Sequence, residues 1–262
     1  MTELFRYEGD EVDIDARDLP GLKARFLVQH VPDGGVVVDV GCGGGKMLRT
    51  LARERPGAQL HGCDLKAPAE WNPLFEFRLI DDSGHLPYDD ASVDTALVID
   101  VLEHVPHPDE FLREVARVLR PGGRLIGFLP TEGQRFSFYR LFRALLGDDL
   151  YVTTKDHIQA FRRADVSTLL DPAFDIEQQR YAYHFLGHLM DASFCAMLRV
   201  PLVKRMFWNE SPYHNRDRRP SVVGRVFAGA LIAANRVAWA ESTALAKIPY
   251  TSAGTLLSAR RR

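Results

Sequence analysis

A glycine-rich stretch directly after the most valine-rich run of the chain is the first candidate for chemistry. Residues 36–45 read VVVDVGCGGG. Asp39 precedes a GxGxG pattern whose glycines are Gly41, Gly43 and Gly45. Glycines let a backbone turn approach a flat ligand closely, and a neighbouring carboxylate favours a ligand with positive charge. The stretch therefore predicts a binding loop for a flat, cationic ligand.

Two phosphate-binding patterns do not fit these residues. A P-loop requires GxxxxGK[ST], in which the final hydroxyl contacts magnesium. Here Gly45 and Lys46 are followed by Met47, and Val40 stands where the first glycine should be. A dinucleotide fingerprint requires GxGxxG, but its third glycine position, counted from Gly41, is Lys46. The loop is therefore not predicted to bind a nucleoside triphosphate, and a nicotinamide dinucleotide is disfavoured.

Alternating strands and helices must position this loop. The β-branched run Val36–Val40 predicts a buried strand, and the periodicity of residues 47–55 predicts a helix after the loop. Further strands are predicted at 59–63, 75–80, 95–99 and 124–129, and further helices at 19–31 and 109–119. This alternation predicts an α/β fold with a doubly wound, mostly parallel sheet.

The second half of the chain has a less regular pattern. It predicts helices at 138–146 and 166–170 and strands at 174–183 and 254–259, which complete a seven-stranded sheet. The connection between the last two strands is long for a compact sheet and contains apolar, helix-like stretches. We therefore predict an N-terminal helical segment (1–33), a core (34–183 and 251–262) and an inserted helical lobe (184–250).

Four stretches, in order, resemble the motifs of the class I S-adenosylmethionine (SAM) dependent methyltransferases. They are the loop at 39–45, Asp64 at the end of the second strand (HGCDL), the segment 81–88 (DDSGHLPY), and the pair 94–108 (DTALVIDVLEHVPHP) and 119–125 (LRPGGRL). The resemblance covers about residues 36 to 130. It implies a Rossmann-like sheet with an antiparallel last strand, and SAM as the cofactor, which leaves as S-adenosyl-L-homocysteine.

The resemblance also assigns cofactor contacts. Asp64 is expected to accept hydrogen bonds from both ribose hydroxyls, Asp82 to contact the exocyclic amine of adenine, and Ser83 to offer its backbone to the ring. Asp81 takes the role of Asp82 if the alignment slips by one residue. The other residues expected beside the cofactor are Asp39, Gly41, Cys42, Gly43, Gly45, Leu65, Asp100 and Val101.

Asp39 and Asp100 each have two interpretations. Asp39 lies within a valine run, where an unpaired carboxylate is costly, so it must have a partner. That partner is either a backbone amide of the loop or the methionine end of the cofactor. Asp100 departs from the resemblance, because relatives often carry a small or amide residue there. Its carboxylate either contacts the ammonium of the cofactor or lies against the acceptor.

The candidates for proton removal follow the fourth and fifth strands. Methyl transfer to a hydroxyl requires an aligned nucleophile and a base, and histidine suits this role near neutral pH. Glu103 and His104 follow the fourth strand, with His107 as a further candidate; His157 lies in the stretch TTKDHIQAF, which in some relatives faces the active site. Helix capping or packing is the alternative for His104. The histidines lack close ligand spacing, so no metal site is predicted.

Charge and cysteine content indicate the setting. The net charge is −2, but residues 201–262 carry 11 Lys/Arg and 3 Asp/Glu, which suits an anionic partner or surface as well as a solvated face. Three cysteines at unrelated spacings favour a reduced, cytoplasmic setting. No secretory signal is recognised, and no stretch reaches the roughly 18 uncharged apolar residues of a membrane span. Peripheral contact at the inner membrane face is the alternative location.

The regions 131–173 and 184–250 are rich in aromatic residues and arginines and are expected to determine the acceptor. Apolar helices with basic flanks fit a lipid-like acceptor or a membrane interface, whereas a plain core or a homodimer face is the alternative. We predict O-methylation of an apolar, lipid-linked or glycosylated small molecule.

Nucleic acid is not predicted as the acceptor. The stretch 71–75 (WNPLF) resembles the tetrad that grips a flipped base, but it precedes the third strand instead of following the fourth. The alternative functions are a non-catalytic SAM-binding or scaffolding subunit and a nicotinamide-dependent oxidoreductase on a similar sheet.

Overall fold

A seven-stranded sheet lies at the centre of the computed structural model, which describes residues 11–68, 71–72, 74–147, 149–210 and 222–262. The strands are β1 (Val36–Val40), β2 (Gln59–Asp64), β3 (Glu76–Leu79), β4 (Val93–Ile99), β5 (Leu119–Pro130), β6 (Phe174–Ala182) and β7 (Gly254–Arg261). Their spatial order is β3-β2-β1-β4-β5-β7-β6. Only β7 runs antiparallel to its neighbours, β5 and β6. The predicted fold class is confirmed.

Helices cover both faces of this sheet. They are α1 (Leu19–His30), α2 (Lys46–Glu54), α3 (Pro108–Val118), α4 (Phe138–Leu146), α5 (Leu150–Lys155), α6 (Arg163–Leu170), α7 (Phe185–Met197), α8 (Pro201–Glu210) and α9 (Val222–Ala244), with a short 3₁₀ helix at Leu102–His104. The side chains of β1 alternate between the two faces. Val37 joins the buried cluster that includes α1 and α2, whereas Val38 and Val40 join the cluster that includes α3 and α6. A run of β-branched residues therefore fills both cores.

The strand order reverses direction between β1 and β4. From β1 the chain proceeds outward to β2 and β3, and it then returns to place β4 on the other side of β1. At such a switch point the loops that follow the two strands diverge and leave a crevice at their carboxyl ends, where ligands bind in open α/β sheets. The loop at 41–45 and the segment that begins at Asp100 both border this crevice.

Two sequence predictions were wrong in detail. The fifth strand begins at Leu119 and not at Arg124, because Leu119 already pairs with Val93 and the next pair joins Thr95 to Arg124. Residues 120–123 form an irregularity within the strand, and α3 ends at Val118, one residue before its predicted end. The short helix α5 was not predicted, because six residues carry too little periodicity.

Helices α7, α8 and α9 lie between β6 and β7, within the region predicted as an inserted lobe. Helix α7 shares a buried cluster with α4 and α5, formed by Tyr139, Leu150, Ala192 and Cys195. The helices that follow β5 are therefore packed against the first helix of the predicted lobe. None of the described helices combines the length and apolarity needed to cross a lipid bilayer.

Candidate functional site

The loop after β1 has the backbone conformation that its glycines allow. Gly41, Gly43 and Gly45 have φ values of 75°, 51° and 73°, in the left-handed region that strains other residues. The amides of Gly41 and Cys42 both donate to the carbonyl of Cys63 at the end of β2, at 2.8 and 3.1 Å. A Cβ placed on Gly43 would have no neighbour within 4 Å. The loop is thus folded back over β2 and leaves an open space beside Gly43.

Asp64 stands at the edge of this loop. Its Oδ2 accepts a hydrogen bond from the amide of Gly43 at 2.9 Å, and the side chain remains partly exposed. Leu65, the next residue, is 65% exposed. A carboxylate at the end of a strand, already tied to a glycine loop, is positioned to accept hydrogen bonds from a ligand in the crevice.

Asp39 is buried beneath the loop and has no hydrogen-bond donor among the described residues. Burial and the negative charge of Asp64 raise the pKa of its carboxyl to about 7. The loop amides of Gly41, Cys42, Gly43 and Gly45 all donate to other acceptors, in Cys63, Asp64 and Cys42. The carboxylate of Asp39 is therefore available for a cationic group of a ligand.

The segment after β3 separates the roles of two neighbouring aspartates. Asp81 closes a turn, since it accepts hydrogen bonds from the amides of Ser83 and His85 and from the Ser83 hydroxyl. Asp82 is exposed, and no described residue donates to its carboxylate. The geometry therefore favours Asp82 over Asp81 for a ligand contact, as the motif alignment without a slip requires.

Asp100 is paired in a way that the sequence did not indicate. It has a φ of 53°, and its Oδ2 lies 2.6 Å from Nζ of Lys23 on α1. That ammonium also lies over the ring of Phe128, 4.2 Å from its centre. Both interpretations of Asp100 omitted this partner, because nothing local relates residues so far apart in the chain. Lys23 is thus a site residue that sequence reasoning missed.

Three further residues shape the loop through packing. Val101 fills the space beside Gly41, where a Cβ would come within 2.7 Å of its Cγ2. The side chain of Cys42 is turned into the core, where burial raises the pKa of its thiol, so only its backbone can face a ligand. Trp71 covers Gly45 and donates from Nε1 to the carbonyl of Phe75 at 2.8 Å. The stretch that contains Trp71 is therefore a packing segment; Pro73 lies outside the described residues.

The structure brings the three predicted catalytic residues together. Ligand-type atoms of Glu103, His104 and His157 all lie within 4.8 Å of one another. The two imidazole rings meet edge to face with centres 4.9 Å apart. The amides of Ile158 and Gln159 donate to the backbone carbonyl of Glu103 at 3.0 and 3.2 Å, which fixes the segment after α5 against the 3₁₀ helix. His107, the further candidate, instead precedes α3 and is exposed.

Glu103 is an unusual member of this cluster. Its side chain is 1% exposed, and neither carboxylate oxygen has a hydrogen-bond partner. Burial and the charge of Asp100 raise the pKa of this carboxyl well above its ordinary value. A buried carboxyl without donors is costly. The Glu103 carboxyl is therefore suited to hold a proton or to bind a cation.

A second buried acid orients His157. Oε2 of Glu132 lies 3.2 Å from Nδ1 of His157, and Oε1 lies 3.0 Å from Nζ of Lys155. Lys155 also contacts Asp191 on α7 at 2.6 Å. Burial opposes ionisation, but the charge of Lys155 and the hydrogen bond from His157 lower the pKa of Glu132 to about 2. Glu132 and Lys155 were missed, since only the fold brings them to His157.

Comparison with known proteins agrees with this geometry. Residues 38–127 match the family model described as a methyltransferase domain. That range contains the glycine loop, Asp64, Asp82 and Glu103. Residues 38–127 are therefore a methyltransferase domain, and the surrounding sheet has the Rossmann-like architecture of SAM-dependent methyltransferases. The matched range begins within β1 and ends within β5, so the residues after β5 lie outside it.

Curated relatives match mainly this domain. The methyltransferase GfsG of Streptomyces halstedii is 40% identical over 109 residues, which are 36% of this chain and 37% of the relative. The chain thus aligns with well under two thirds of that protein. A ubiquinone biosynthesis O-methyltransferase of Vibrio cholerae is 29% identical over 189 residues, which are 63% of this chain and 74% of the relative.

A solved methyltransferase shares the fold. Phosphoethanolamine N-methyltransferase 2 of Haemonchus contortus, in complex with S-adenosyl-L-methionine, superposes with a TM-score of 0.53 at 14% identity. The match covers 91% of this chain and 52% of that chain. At this identity the likeness establishes the architecture alone.

The crevice of the methyltransferase domain fits SAM, the cofactor of this family. SAM carries a cationic methionine end and an uncharged sugar, without phosphate. Asp39 is a buried carboxylate that lacks a donor, and the ammonium of SAM would supply one. The opening at Gly43 and the acceptor atoms of Asp64 and Asp82 suit a nucleoside.

Proposed function

We propose that this protein transfers the methyl group of SAM to a hydroxyl of an apolar small molecule and releases S-adenosyl-L-homocysteine. The observation that carries the proposal is the cluster of Glu103, His104 and His157, which stands after β4 beside the crevice lined by the glycine loop. When bound, SAM supplies an electrophilic methyl group. The residues of the chain must then hold the acceptor in line and accept its proton.

The proposed cofactor contacts follow from the positions of the acids. The carboxylate of Asp39 holds the ammonium, Asp64 accepts from the ribose hydroxyls, and Asp82 accepts from the adenine amine. The backbone of 41–45 lies against the methionine and ribose, while Leu65, Ser83, Asp100 and Val101 border the nucleoside or the transferred methyl. Asp100 acts there as a pair with Lys23.

His157 is the proposed base. Because Glu132 is ionised and lies 3.2 Å from Nδ1, it fixes the tautomer in which Nδ1 carries the hydrogen and Nε2 is free. The proton of the acceptor hydroxyl then moves to Nε2, and the charge of Glu132 stabilises the resulting imidazolium. Nδ1 of His104 is held in the same way by the carbonyl of Asp156, at 3.1 Å, so its Nε2 is a second acceptor atom at the exposed side of the cluster.

The acceptor is proposed to be apolar because large hydrophobic side chains remain exposed on the helices that follow β5 and β6. Phe138 on α4 packs edge to face against Phe185 on α7, with ring centres 5.1 Å apart. Other exposed apolar side chains of the same segments are Phe136, Leu141, Leu145, Leu186, Met197 and Val200. We propose that the predicted lobe, 184–250, forms a cap over an apolar or lipid-linked acceptor; the ubiquinone biosynthesis relative is consistent with an O-linked product.

The function is tested by following the methyl group. Purified protein is incubated with methyl-labelled SAM and fractionated cell extract, and the labelled product is identified by mass spectrometry and NMR. We expect label in an organic-extractable small molecule as an O-methyl group. Label confined to protein or nucleic acid would exclude the proposed acceptor class. Tight SAM binding without turnover on any fraction would support a non-catalytic SAM-binding subunit instead.

The same lobe surface also fits a membrane interface or a second copy of the chain. Vesicle flotation with anionic lipid and sedimentation equilibrium distinguish these partners. If acceptor binding is the role of the surface, the protein is expected to remain unbound and monomeric in both measurements.

Asp39 provides a prediction about pH. Its ligand-free pKa of about 7 exceeds the unfolded value of about 3.9, so the folded state holds an extra proton between about pH 4 and 7. The contribution of Asp39 to stability therefore decreases as pH rises through this window and is constant above it. Asp39→Asn is expected to remove this dependence and to raise the ligand-free melting temperature at pH 8 by about 5 °C.

The affinity of the parent protein for SAM is expected to increase with pH, whereas the stability contribution of Asp39 decreases. The ammonium requires the ionised Asp39, so affinity should rise by up to about tenfold per pH unit below 7 and level off above it. Calorimetric titrations at pH 5.5, 6.5 and 8 measure both effects, with exposed Asp89→Asn as the matched control. Equal pH profiles for the parent and Asp39→Asn would refute this role.

A further inference from the structure

The cluster of Glu103, His104 and His157 has the features of a metal site in addition to those of a base. Glu103 contributes two carboxylate oxygens that lie within the protein and accept no hydrogen bond. Buried carboxylates are nearly always paired, hydrogen-bonded or bound to metal. An unpartnered, 1% exposed carboxylate facing two imidazoles is therefore an independent sign that a cationic ligand belongs there.

Both imidazoles are oriented as metal ligands usually are. A ligating histidine donates its second ring N–H to a carboxylate or carbonyl, which fixes the tautomer and leaves the other nitrogen free. Nδ1 of His157 lies 3.2 Å from Glu132 Oε2, and Nδ1 of His104 lies 3.1 Å from the carbonyl of Asp156. In each ring Nε2 remains for a ligand, and Nε2 of His157 already lies 3.9 Å from Glu103 Oε1.

The surrounding charges leave a negative excess at this position. Four carboxylates belong to the network, from Glu103, Asp100, Glu132 and Asp191. The lysines that pair with them are Lys23, beside Asp100, and Lys155, between Glu132 and Asp191. Glu103 is the carboxylate that neither lysine contacts. A dication bound to Glu103 would balance the network.

We infer that Glu103, His104 and His157 bind a divalent first-row transition cation, such as Zn²⁺, through one carboxylate and two imidazole nitrogens. Mixed imidazole and carboxylate ligands suit zinc, cobalt, manganese or nickel, whereas Mg²⁺ and Ca²⁺ prefer oxygen alone. Three protein ligands leave a coordination position open, as in catalytic zinc sites. His104 is exposed, so this position is accessible from solvent.

The role of the cation in methyl transfer rests on the proposed function, whereas the metal site itself does not. If the acceptor hydroxyl occupied the open position, the cation would lower the pKa of that hydroxyl. Because Nε2 of His157 and of His104 would then be metal ligands, the proton would leave to solvent, and His157 would serve as a ligand in place of the proposed base. The cation would thus also orient the acceptor oxygen toward the methyl donor. Metal binding itself requires neither SAM nor acceptor.

The experiment is a cobalt titration of tag-free, chelator-treated protein. We expect one equivalent of Co²⁺ to bind, with visible absorption bands typical of nitrogen and oxygen ligation, and Zn²⁺ to displace it. Glu103→Gln and His157→Gln are each expected to weaken binding at least 10-fold, because loss of a direct ligand should cost no less than loss of an outer-shell partner. His107→Gln, a nearby exposed histidine outside the cluster, serves as the control and should bind as the parent does.

Each outcome is separable from the proposed function because SAM binding is measured on the same samples. Normal SAM binding with no cobalt bands, or bands that persist in both variants, would overturn the metal site while the proposed methyl transfer stands. Stoichiometric cobalt binding without any SAM binding would support the metal site and overturn the proposed function. Melting temperatures of the variants show whether each is folded.

Discussion

Replacement of Asp64 by alanine is expected to weaken SAM binding by at least about 100-fold, since two hydrogen bonds to a charged acceptor are worth roughly 1.5 to 3 kcal/mol each. The carboxylate already accepts from the Gly43 amide and is partly exposed at the edge of the crevice. Asp64→Asn keeps one oxygen for that amide but loses the charge, so a smaller loss of about 10-fold is expected. Calorimetry with SAM measures both.

The matched control for this prediction is Asp89→Ala, which removes an exposed carboxylate remote from the loop. Its SAM affinity should equal that of the parent protein. Asp64 is not part of either buried cluster, so all variants should melt within a few degrees of the parent. If Asp64→Ala binds SAM as tightly as the control does, the ribose assignment is wrong.

His157→Gln is expected to lower kcat by about 100-fold or more, the range for loss of a general base, with little change in SAM affinity. The histidine contacts Glu103 and Glu132, neither of which is proposed to bind the nucleoside. Single-turnover rates with a saturating acceptor provide the measurement, and SAM binding provides the comparison. If His157→Gln lowers SAM affinity and leaves the single-turnover rate unchanged, His157 is not the general base.

Glu132→Gln tests how His157 is oriented. Glutamine still accepts a hydrogen bond from Nδ1 but removes the charge that stabilises an imidazolium, so kcat is expected to fall by about 10-fold. The acidic limb of the pH profile should also move to lower pH, because loss of the negative charge 3.2 Å from Nδ1 destabilises the imidazolium. A merely structural role for Glu132 would change stability and leave the shape of the pH profile intact. Glu110→Gln, which makes the same change at an exposed carboxylate on α3, is the control.

The sequence was sufficient for the parts of the structure whose signals are local. Val36–Val40 was predicted with its observed ends, because a β-branched run followed by glycines has few alternative conformations. The GxGxG loop likewise disfavoured a nucleoside triphosphate and a dinucleotide, since the binding motif for each requires a particular residue at a fixed position. The acidic residue at the end of β2 was found from its place in the motif order.

The sequence was insufficient where distant residues meet. His104 and His157 were proposed separately, and their spacing in the chain argued against a metal site; the fold brings their rings within 4.9 Å. Lys23 and Glu132 carried no motif, and their roles depend on α1 and the end of β5 reaching the same crevice. Short-range periodicity cannot report such contacts, because it describes one element at a time.

The central claim is that the crevice at 39–45 binds SAM and not a phosphate-bearing nucleotide. Calorimetric titration of the parent protein with SAM, and in parallel with NAD⁺, tests it most directly. We predict one SAM site with micromolar affinity, strongly weakened in Asp64→Ala, and no heat from NAD⁺. Absence of heat from SAM, or saturable binding of NAD⁺ at this site, would contradict the assignment.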